Sequence, residues 1–387
     1  MLKIIYDFDG TLTTSEMPQY EFLEYCKFLE DKDKAYSYLN KYAKEHNVSL
    51  YEAYYKIIFD ALKPFRITFD DSTIAQGADK IKYQVGLEKY LKEYQEKAEH
   101  YIVTSGIGNY INHTKIAQYF KGIYGTTFEY ISDGDVKIKD LVTDDVKIKK
   151  IDLIANNDYE NIIYIGDGLT DIPAFKYVSE KGGIAILINS KKTIYNQIVK
   201  KGINVDYFKP SYKLDGDLVK YINDLIYLKK AEKFMKFKHG DQKRKQGTPY
   251  YTHPLYVAKL LKEKGFPIDY QVTGLFHDLL EDTKALNEEI FNYSNNDVLE
   301  AVILLTKEKG YDQKEYANRI TNNEMARMVK LADRIHNLRD SECQSKMWQK
   351  KYYKETLEWY VPMAKGTVFE EDMNNIMEII KERIAIK

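Results

Sequence analysis

Four short runs of apolar residues, Ile4 to Tyr6, Tyr101 to Val103, Ile162 to Ile165 and Ile184 to Ile188, recur through the first half of the chain with helix-like stretches between them. A run that is apolar throughout marks a strand buried on both faces, and strands separated by helices predict a doubly wound parallel α/β sheet. Beyond Tyr207 such runs stop. Apolar residues then recur at helical spacing, as in Leu255, Ala258 and Leu261, in Val298, Ala301, Val302 and Leu305, and in Met325, Met328 and Leu331. The turn-prone Lys209-Pro210-Ser211 and Asp215-Gly216 lie where the pattern changes. The sequence thus predicts an α/β domain over 1–210 and an all-α domain over 211–387, with a helical insertion at about 15–82 that breaks at Pro64. A length of 387 residues agrees with this, since domains average about 150 residues.

Composition narrows the class. With 44% hydrophobic residues the chain can fill a core, and 58 basic against 59 acidic residues give no field suited to nucleic acid. There is no apolar run long enough to span a bilayer and no signal-peptide layout at Met1 to Tyr6. Cys26 and Cys343 have neither zinc nor disulfide spacing, which predicts two ordinary thiols in a reducing, cytoplasmic setting. The 35 tyrosines are expected to replace Phe and Leu in cores and on half-buried faces.

The string Asp7-Phe8-Asp9-Gly10-Thr11 stands at the end of the first predicted strand, where a doubly wound sheet presents its ligand edge. Alternation along the extended chain puts Asp7 and Asp9 on one side, and two carboxylates facing one cleft call for a divalent cation, Mg²⁺ by its preference for oxygen. Asp167 and Asp171 in Gly166-Asp167-Gly168-Leu169-Thr170-Asp171 follow another strand and complete such a shell. Thr104-Ser105-Gly106 ends a third strand and offers a hydroxyl and amides to a phosphate, while a lysine ahead of the second acidic cluster, Lys147 before Lys149 or Lys150, adds positive charge. This set resembles the haloacid-dehalogenase superfamily of phosphatases over about residues 1–208, and the Gly-Asp-Gly-x-Thr-Asp string resembles phosphoserine-phosphatase-like members. The resemblance implies a Rossmann-like core in which Asp7 forms an aspartyl-phosphate and Asp9 is the general acid and base. It also implies that Thr104, or Ser105 in its place, binds phosphate, that Asp167 and Asp171 serve Mg²⁺, and that the insertion is a cap that selects an unspecified phosphomonoester.

In the second half, His277-Asp278 falls within the apolar stretch Val272 to Leu280, which predicts a His-Asp pair on a buried helix. Burying these groups is costly unless they are paired or bind metal, and the same holds for Asp333 in Val329 to Asp333. With His253 they make a mixed nitrogen and oxygen set suited to Mn²⁺, Fe²⁺ or Zn²⁺ and to activating a water. Glu281 and Asp282, each four residues beyond a proposed ligand on that helix, are candidates to orient or deprotonate the water. The region Ala231 to Gly366 resembles the HD-domain phosphohydrolases, and more narrowly the alarmone hydrolase half of RelA/SpoT enzymes and their small stand-alone relatives. The resemblance rests on Gln242-Lys243-Arg244-Lys245, Gly247-Thr248-Pro249-Tyr250-Tyr251-Thr252-His253-Pro254, Phe276 to Thr283 and Lys330 to Asp340. It implies one Mn²⁺ held by His253, His277, Asp278 and Asp333, water activated by Glu281 and Asp282, nucleotide and phosphates held by Arg244, Lys245 and Asn337, and supporting roles for His239 and His336. One departure is Lys350-Lys351-Tyr352 where stand-alone relatives tend to offer an arginine.

Together the two resemblances imply a bifunctional metal-dependent phosphohydrolase. Its HD domain would remove the 3′-pyrophosphate of (p)ppGpp or an adenine analogue, with NADPH 2′-phosphate as a secondary substrate. Its other domain would cleave a phosphomonoester. General nucleotide clean-up, or one domain sensing a ligand and regulating the other, are the alternatives. Small nucleotides and phosphomonoesters are the expected partners, without nucleic acid or membrane.

Overall fold

Seven strands, β1 (Lys3–Tyr6), β2 (Glu99–Ile107), β3 (Gly122–Ser132), β4 (Asp135–Asp140), β5 (Ile162–Gly166), β6 (Ile184–Ile188) and β7 (Asp206–Phe208), form one sheet in the order β4-β3-β2-β1-β5-β6-β7. This computed structural model describes residues 1–14, 32–65, 71–132 and 135–385. All pairings are parallel except β3 with β4. β1 lies between β2 and β5, so the chain leaves it in both directions and the ends of these three strands frame one crevice. Ile4, Ile5 and Tyr6 are fully buried, as central strands covered by helices on both faces require.

The sequence pattern missed β3, β4 and β7. β3 and β4 pair antiparallel at a sheet edge, where one polar face is tolerated, so Gly122 to Ser132 carries Thr126, Thr127 and Glu129 and shows no continuous apolar run. In the insertion, helices Lys32–His46, Leu50–Leu62 and Asp71–Asp79 are present, and Pro64 lies in the single turn Lys63–Phe65 that ends the second. Parts of the predicted insertion, including Cys26, lie outside the described residues. Tyrosines do fill the core: the Tyr6 hydroxyl, buried with Tyr90, Tyr94 and Tyr212, lies 2.9 Å from that of Tyr90 and 3.0 Å from His100 Nδ1.

The chain divides into two units, Met1–Asn223 and Asp224–Lys387, and the division falls inside helix Asp217–His239, past the turn at Lys209-Pro210-Ser211. The second unit is helical. Helix Glu324–Arg339 has eleven of its sixteen residues buried, Lys330, Asp333, Arg334 and His336 among them, and a helix buried all round is a core helix whose polar groups need partners. Helices Thr252–Glu263 and Ile268–Phe276 approach closely at Gly274, where a Cβ would stand 2.9 Å from Leu261 Cδ1 and 3.3 Å from the Ala258 backbone. No helix among the described residues is long and apolar enough to cross a membrane.

Candidate functional sites

At the crevice of the first unit, Asp7 follows β1 directly and its amide donates to the Ile165 carbonyl at 2.9 Å. Lys147, buried on helix Asp144–Ala155, donates to Asp7 Oδ1 at 3.1 Å and to Asp171 Oδ1 at 3.2 Å. Lys149 is exposed and Lys150 lies over the Tyr124 ring, so neither takes this place. Gly10 has φ +77°, and a Cβ there would stand 2.4 Å from Asp167 Oδ2, so only glycine lets the turn after β1 meet the Asp167 loop.

Burial pushes the Asp7 carboxyl up, against the pull of Lys147 and with a further push from Asp171. Asp167 rises to about 8, first through burial and then through Asp171, Asp7 and Asp9. One ammonium among four carboxylates leaves negative charge uncompensated, the condition a divalent cation meets. Oxygens of Asp7, Asp167 and Asp171 lie within 4.8 Å of one another.

Asp171 has a second role that sequence did not show. Its Oδ1 accepts from Tyr164 at 2.7 Å and from Lys147, and its Oδ2 accepts from the amides of Asp167 at 3.0 Å and Gly168 at 3.2 Å. Four donors occupy the lone pairs of both oxygens, so in this arrangement Asp171 fixes the Asp167 loop and Lys147 from behind. Thr104 is buried, hydrogen-bonds Asp7 and accepts from the Gly106 amide at 3.0 Å. The Ser105 carbonyl instead takes the hydroxyls of Thr126 and of Tyr55. Tyr55 belongs to the insertion helix Leu50–Leu62 and feels the charges of Asp9 and Asp7, while Tyr51 of the same helix donates to Asp144 Oδ1 at 2.6 Å. Their spacing of four residues on one helix was the available signal.

In the second unit, His253 at the start of helix Thr252–Glu263, His277 and Asp278 after helix Ile268–Phe276, and Asp333 on helix Glu324–Arg339 converge. His253 Nε2 lies 3.1 Å from Asp333 Oδ1 and 3.6 Å from Asp278 Oδ2, and His277 Nε2 lies 3.1 Å from Asp278 Oδ2 and 3.7 Å from Asp333 Oδ1. The predicted continuous buried helix through His277-Asp278 is corrected: helix Ile268–Phe276 ends before them and a short helix, Leu279–Asp282, begins after them.

His277 Nδ1 faces the Gly274 carbonyl at 2.8 Å, which directs the buried Nε2 to the centre, against Asp278. His253 Nδ1 lies 2.6 Å from His336 Nδ1, which leaves Nε2 of His253 facing the two carboxylates. Burial pushes His277 down, but Asp278 outweighs it and brings the imidazole up to about 10. Burial opposes ionisation of Asp333, yet Lys330 at 2.8 Å and both histidines hold it well below the usual range. His336 falls to about 4, through burial and then His253. Two imidazole nitrogens and two carboxylates converging on one buried point are a donor set that fits a divalent transition metal.

Around this centre, Asn337 donates to Asp333 Oδ1 at 2.5 Å and accepts from Arg244 at 3.0 Å, and Arg244 also pairs with Asp340 at 3.4 Å. Lys245 is exposed and donates to Gln344 at 2.7 Å. Glu281 and Asp282 are exposed. Glu281 accepts from the Lys307 amide at 3.1 Å, while Asp282 Oδ2 accepts from Tyr250 at 2.6 Å. Tyr250, Lys330 and Arg334 stand in the motifs read from the sequence, but no role was assigned to them there. Tyr352 of Lys350-Lys351-Tyr352 packs its ring 4.0 Å from the Arg334 guanidinium, which pairs with Glu355 at 2.6 Å.

Residues 231–367 match the family model of the HD domain and residues 4–176 that of the haloacid dehalogenase-like hydrolases. The guanosine-3′,5′-bis(diphosphate) 3′-pyrophosphohydrolase of Xenopus tropicalis is 33% identical over 168 residues, 40% of this chain and 91% of the relative. The enzyme of the same name from Aquifex aeolicus is 34% identical over 145 residues, 35% of this chain and 21% of its own. The chain spans about a fifth of the length of the long curated relatives it matches. A solved phosphoserine phosphatase, a phospho-aspartyl intermediate analogue, is 20% identical with a TM-score of 0.41 over 57% of this chain and 97% of its own. On these matches the chain belongs to the RelA/SpoT-type HD-domain family of guanosine-3′,5′-bis(diphosphate) 3′-pyrophosphohydrolases, and carries in addition a haloacid dehalogenase-like hydrolase domain.

Proposed function

We propose that the chain is a bifunctional phosphohydrolase that removes pyrophosphate from the 3′ position of (p)ppGpp in its HD domain, over 211–387, and hydrolyses a phosphomonoester in the domain over 1–210. The observation that supports the first activity best is the convergence of the imidazoles of His253 and His277 and the carboxylates of Asp278 and Asp333 on one buried centre, in a chain of this family. These four residues would hold Mn²⁺. The ion, when bound, supplies a Lewis acid that makes a water nucleophilic near neutral pH. Asp282, at the mouth of the centre, is the residue to accept the proton of the attacking water, with Glu281 beside it. Arg244, held by Asn337 and Asp340, presents a fork suited to phosphate, and Lys245 adds charge to the same loop. The products are GDP or GTP and pyrophosphate.

In the other domain Asp7 attacks phosphorus and forms an aspartyl-phosphate, which water then cleaves. Asp9 gives a proton to the leaving oxygen and afterwards takes one from that water. Thr104, Ser105 and Lys147 stabilise the equatorial oxygens. Asp7, Asp9 and Asp167 would hold Mg²⁺, backed by Asp171, and the ion offsets charge on the phosphoryl group.

Two assays decide the matter. With Mn²⁺, purified protein should release pyrophosphate from ppGpp; His277→Ala abolishes this and Asp7→Asn does not. Absence of cleavage of any 3′-pyrophosphorylated nucleotide by the wild type sinks the first assignment. A panel of nucleotide and sugar phosphates, run on His277→Ala, should reveal phosphate release that Asp7→Asn removes.

A further inference from the structure

Between Gln242 and Tyr250 the chain makes a closed loop that carries Arg244 and Lys245. Tyr250 N donates to Gln242 O at 2.8 Å, Arg244 N to Thr248 O at 2.9 Å and Gly247 N to Arg244 O at 2.9 Å. The base of the loop is pinned twice. The His239 ring stacks on Tyr250 with centroids 4.7 Å apart, and Gln242, with Oε1 2.8 Å from His239 Nδ1, donates through Nε2 to the Asp282 carbonyl at 2.7 Å. The Tyr250 hydroxyl then stands 2.6 Å from Asp282 Oδ2 and 2.8 Å from Asp278 Oδ2.

A phenol has one proton to give, so it donates to one of these carboxylates at a time. The other must be compensated by positive charge. Asp278 has that charge at hand, because it faces His277 and His253 within the centre proposed to hold the metal, whereas Asp282 is exposed at its mouth. The proton therefore belongs to Asp282, and Tyr250 sets where that carboxylate points.

We propose that Tyr250 is a positioning residue of the pyrophosphohydrolase reaction, holding Asp282 toward the attacking water and keeping the Arg244-Lys245 loop in register with the centre. This rests on the reading of the HD domain given above. Substitution of the hydroxyl alone tests it, since Tyr250→Phe keeps the ring that stacks on His239. For Tyr250→Phe with Mn²⁺ and ppGpp, kcat should fall about ten- to a hundredfold with KM within about threefold of wild type, the scale of lost supporting contacts at such sites. The rise in unfolding temperature on adding Mn²⁺ should equal that of wild type. In an Asp282→Asn background, Tyr250→Phe should cost nothing further, because residues acting through one another are not additive.

Wild-type kcat in Tyr250→Phe, or losses that multiply in the double variant, overturns the proposal alone. So does loss of the Mn²⁺ shift or of the fold, which makes Tyr250 a residue of metal binding or of structure. A wild-type chain inactive on every 3′-pyrophosphorylated nucleotide overturns the reading of the HD domain and the proposal with it.

Discussion

Lys147 places its ammonium among Asp7, Asp171 and the Tyr164 hydroxyl, and all four groups are buried. Removing one partner of a buried ion pair leaves charge uncompensated at a cost of about 3–5 kcal/mol. Lys147→Met should therefore lower unfolding stability on that scale in denaturant titration while abolishing phosphatase activity. His100 makes a pH prediction. Its ring is buried, accepts from Tyr6 and faces the Tyr94 carbonyl, and burial lowers its pKa to about 4. The unfolded chain takes the proton at about 6.5, so the contribution is fully present above that pH and is lost as pH falls toward about 4, on the order of 3 kcal/mol. Between pH 7.5 and pH 5 the urea midpoint of the wild type should fall relative to that of His100→Phe, a comparison in which the opposite slope of Asp167 and the parallel one of His336 cancel. That Asp7, Asp167 and Asp171 come together, and likewise His253, His277, Asp278 and Asp333, was legible in sequence because a few residue types in fixed order bear on one chemistry. Tyr164 and Tyr250 were not, since a phenol in a strand or loop shows its hydrogen-bond partner only after distant segments have packed.

At the scale of elements, what matters is how closely helices approach and where they stop. The Gly274 contact seats helix Ile268–Phe276 against helix Thr252–Glu263, and it is this seating that brings the rings of His277 and His253 to 5.1 Å. Gly274→Val should wedge the pair apart at about 1–3 kcal/mol, as overpacking does. Mn²⁺ titration should then show at least about tenfold weaker binding in a folded protein, since displaced ligands lose metal affinity on that scale. The central strands were readable because Ile162 to Ile165 is apolar on both faces. The antiparallel β3–β4 pair was not, as its half-exposed edge mixes Thr, Glu and Lys into the pattern. The break at His277-Asp278 was hidden for a different reason: both residues keep helical backbone angles or nearly so, and no Gly or Pro announces the interruption.

For the molecule as a whole, 58 basic against 59 acidic residues give no net positive field to attract the polyanionic substrates proposed above, so on that reading the anions are taken by local devices such as Lys147, Arg244 and the proposed metals. A ligand that binds only the folded state adds about 2.7 kcal/mol at a hundred times its dissociation constant. Chelation should therefore abolish both activities, and calorimetry should show unfolding of the Asp224–Lys387 unit moving to lower temperature and returning with Mn²⁺. Helix Asp217–His239 runs across the division: Leu218, Val219 and Ile222 are buried residues on the first-unit side of it, and Ala231, Phe234 and Met235 belong to a core cluster of the second. Anyone wishing to produce the two halves as separate polypeptides thus finds no clean cut. A split before Asp217 strips the first half of three apolar residues, and one after His239 strips the second, so a soluble pair would need this helix twice, once on each piece.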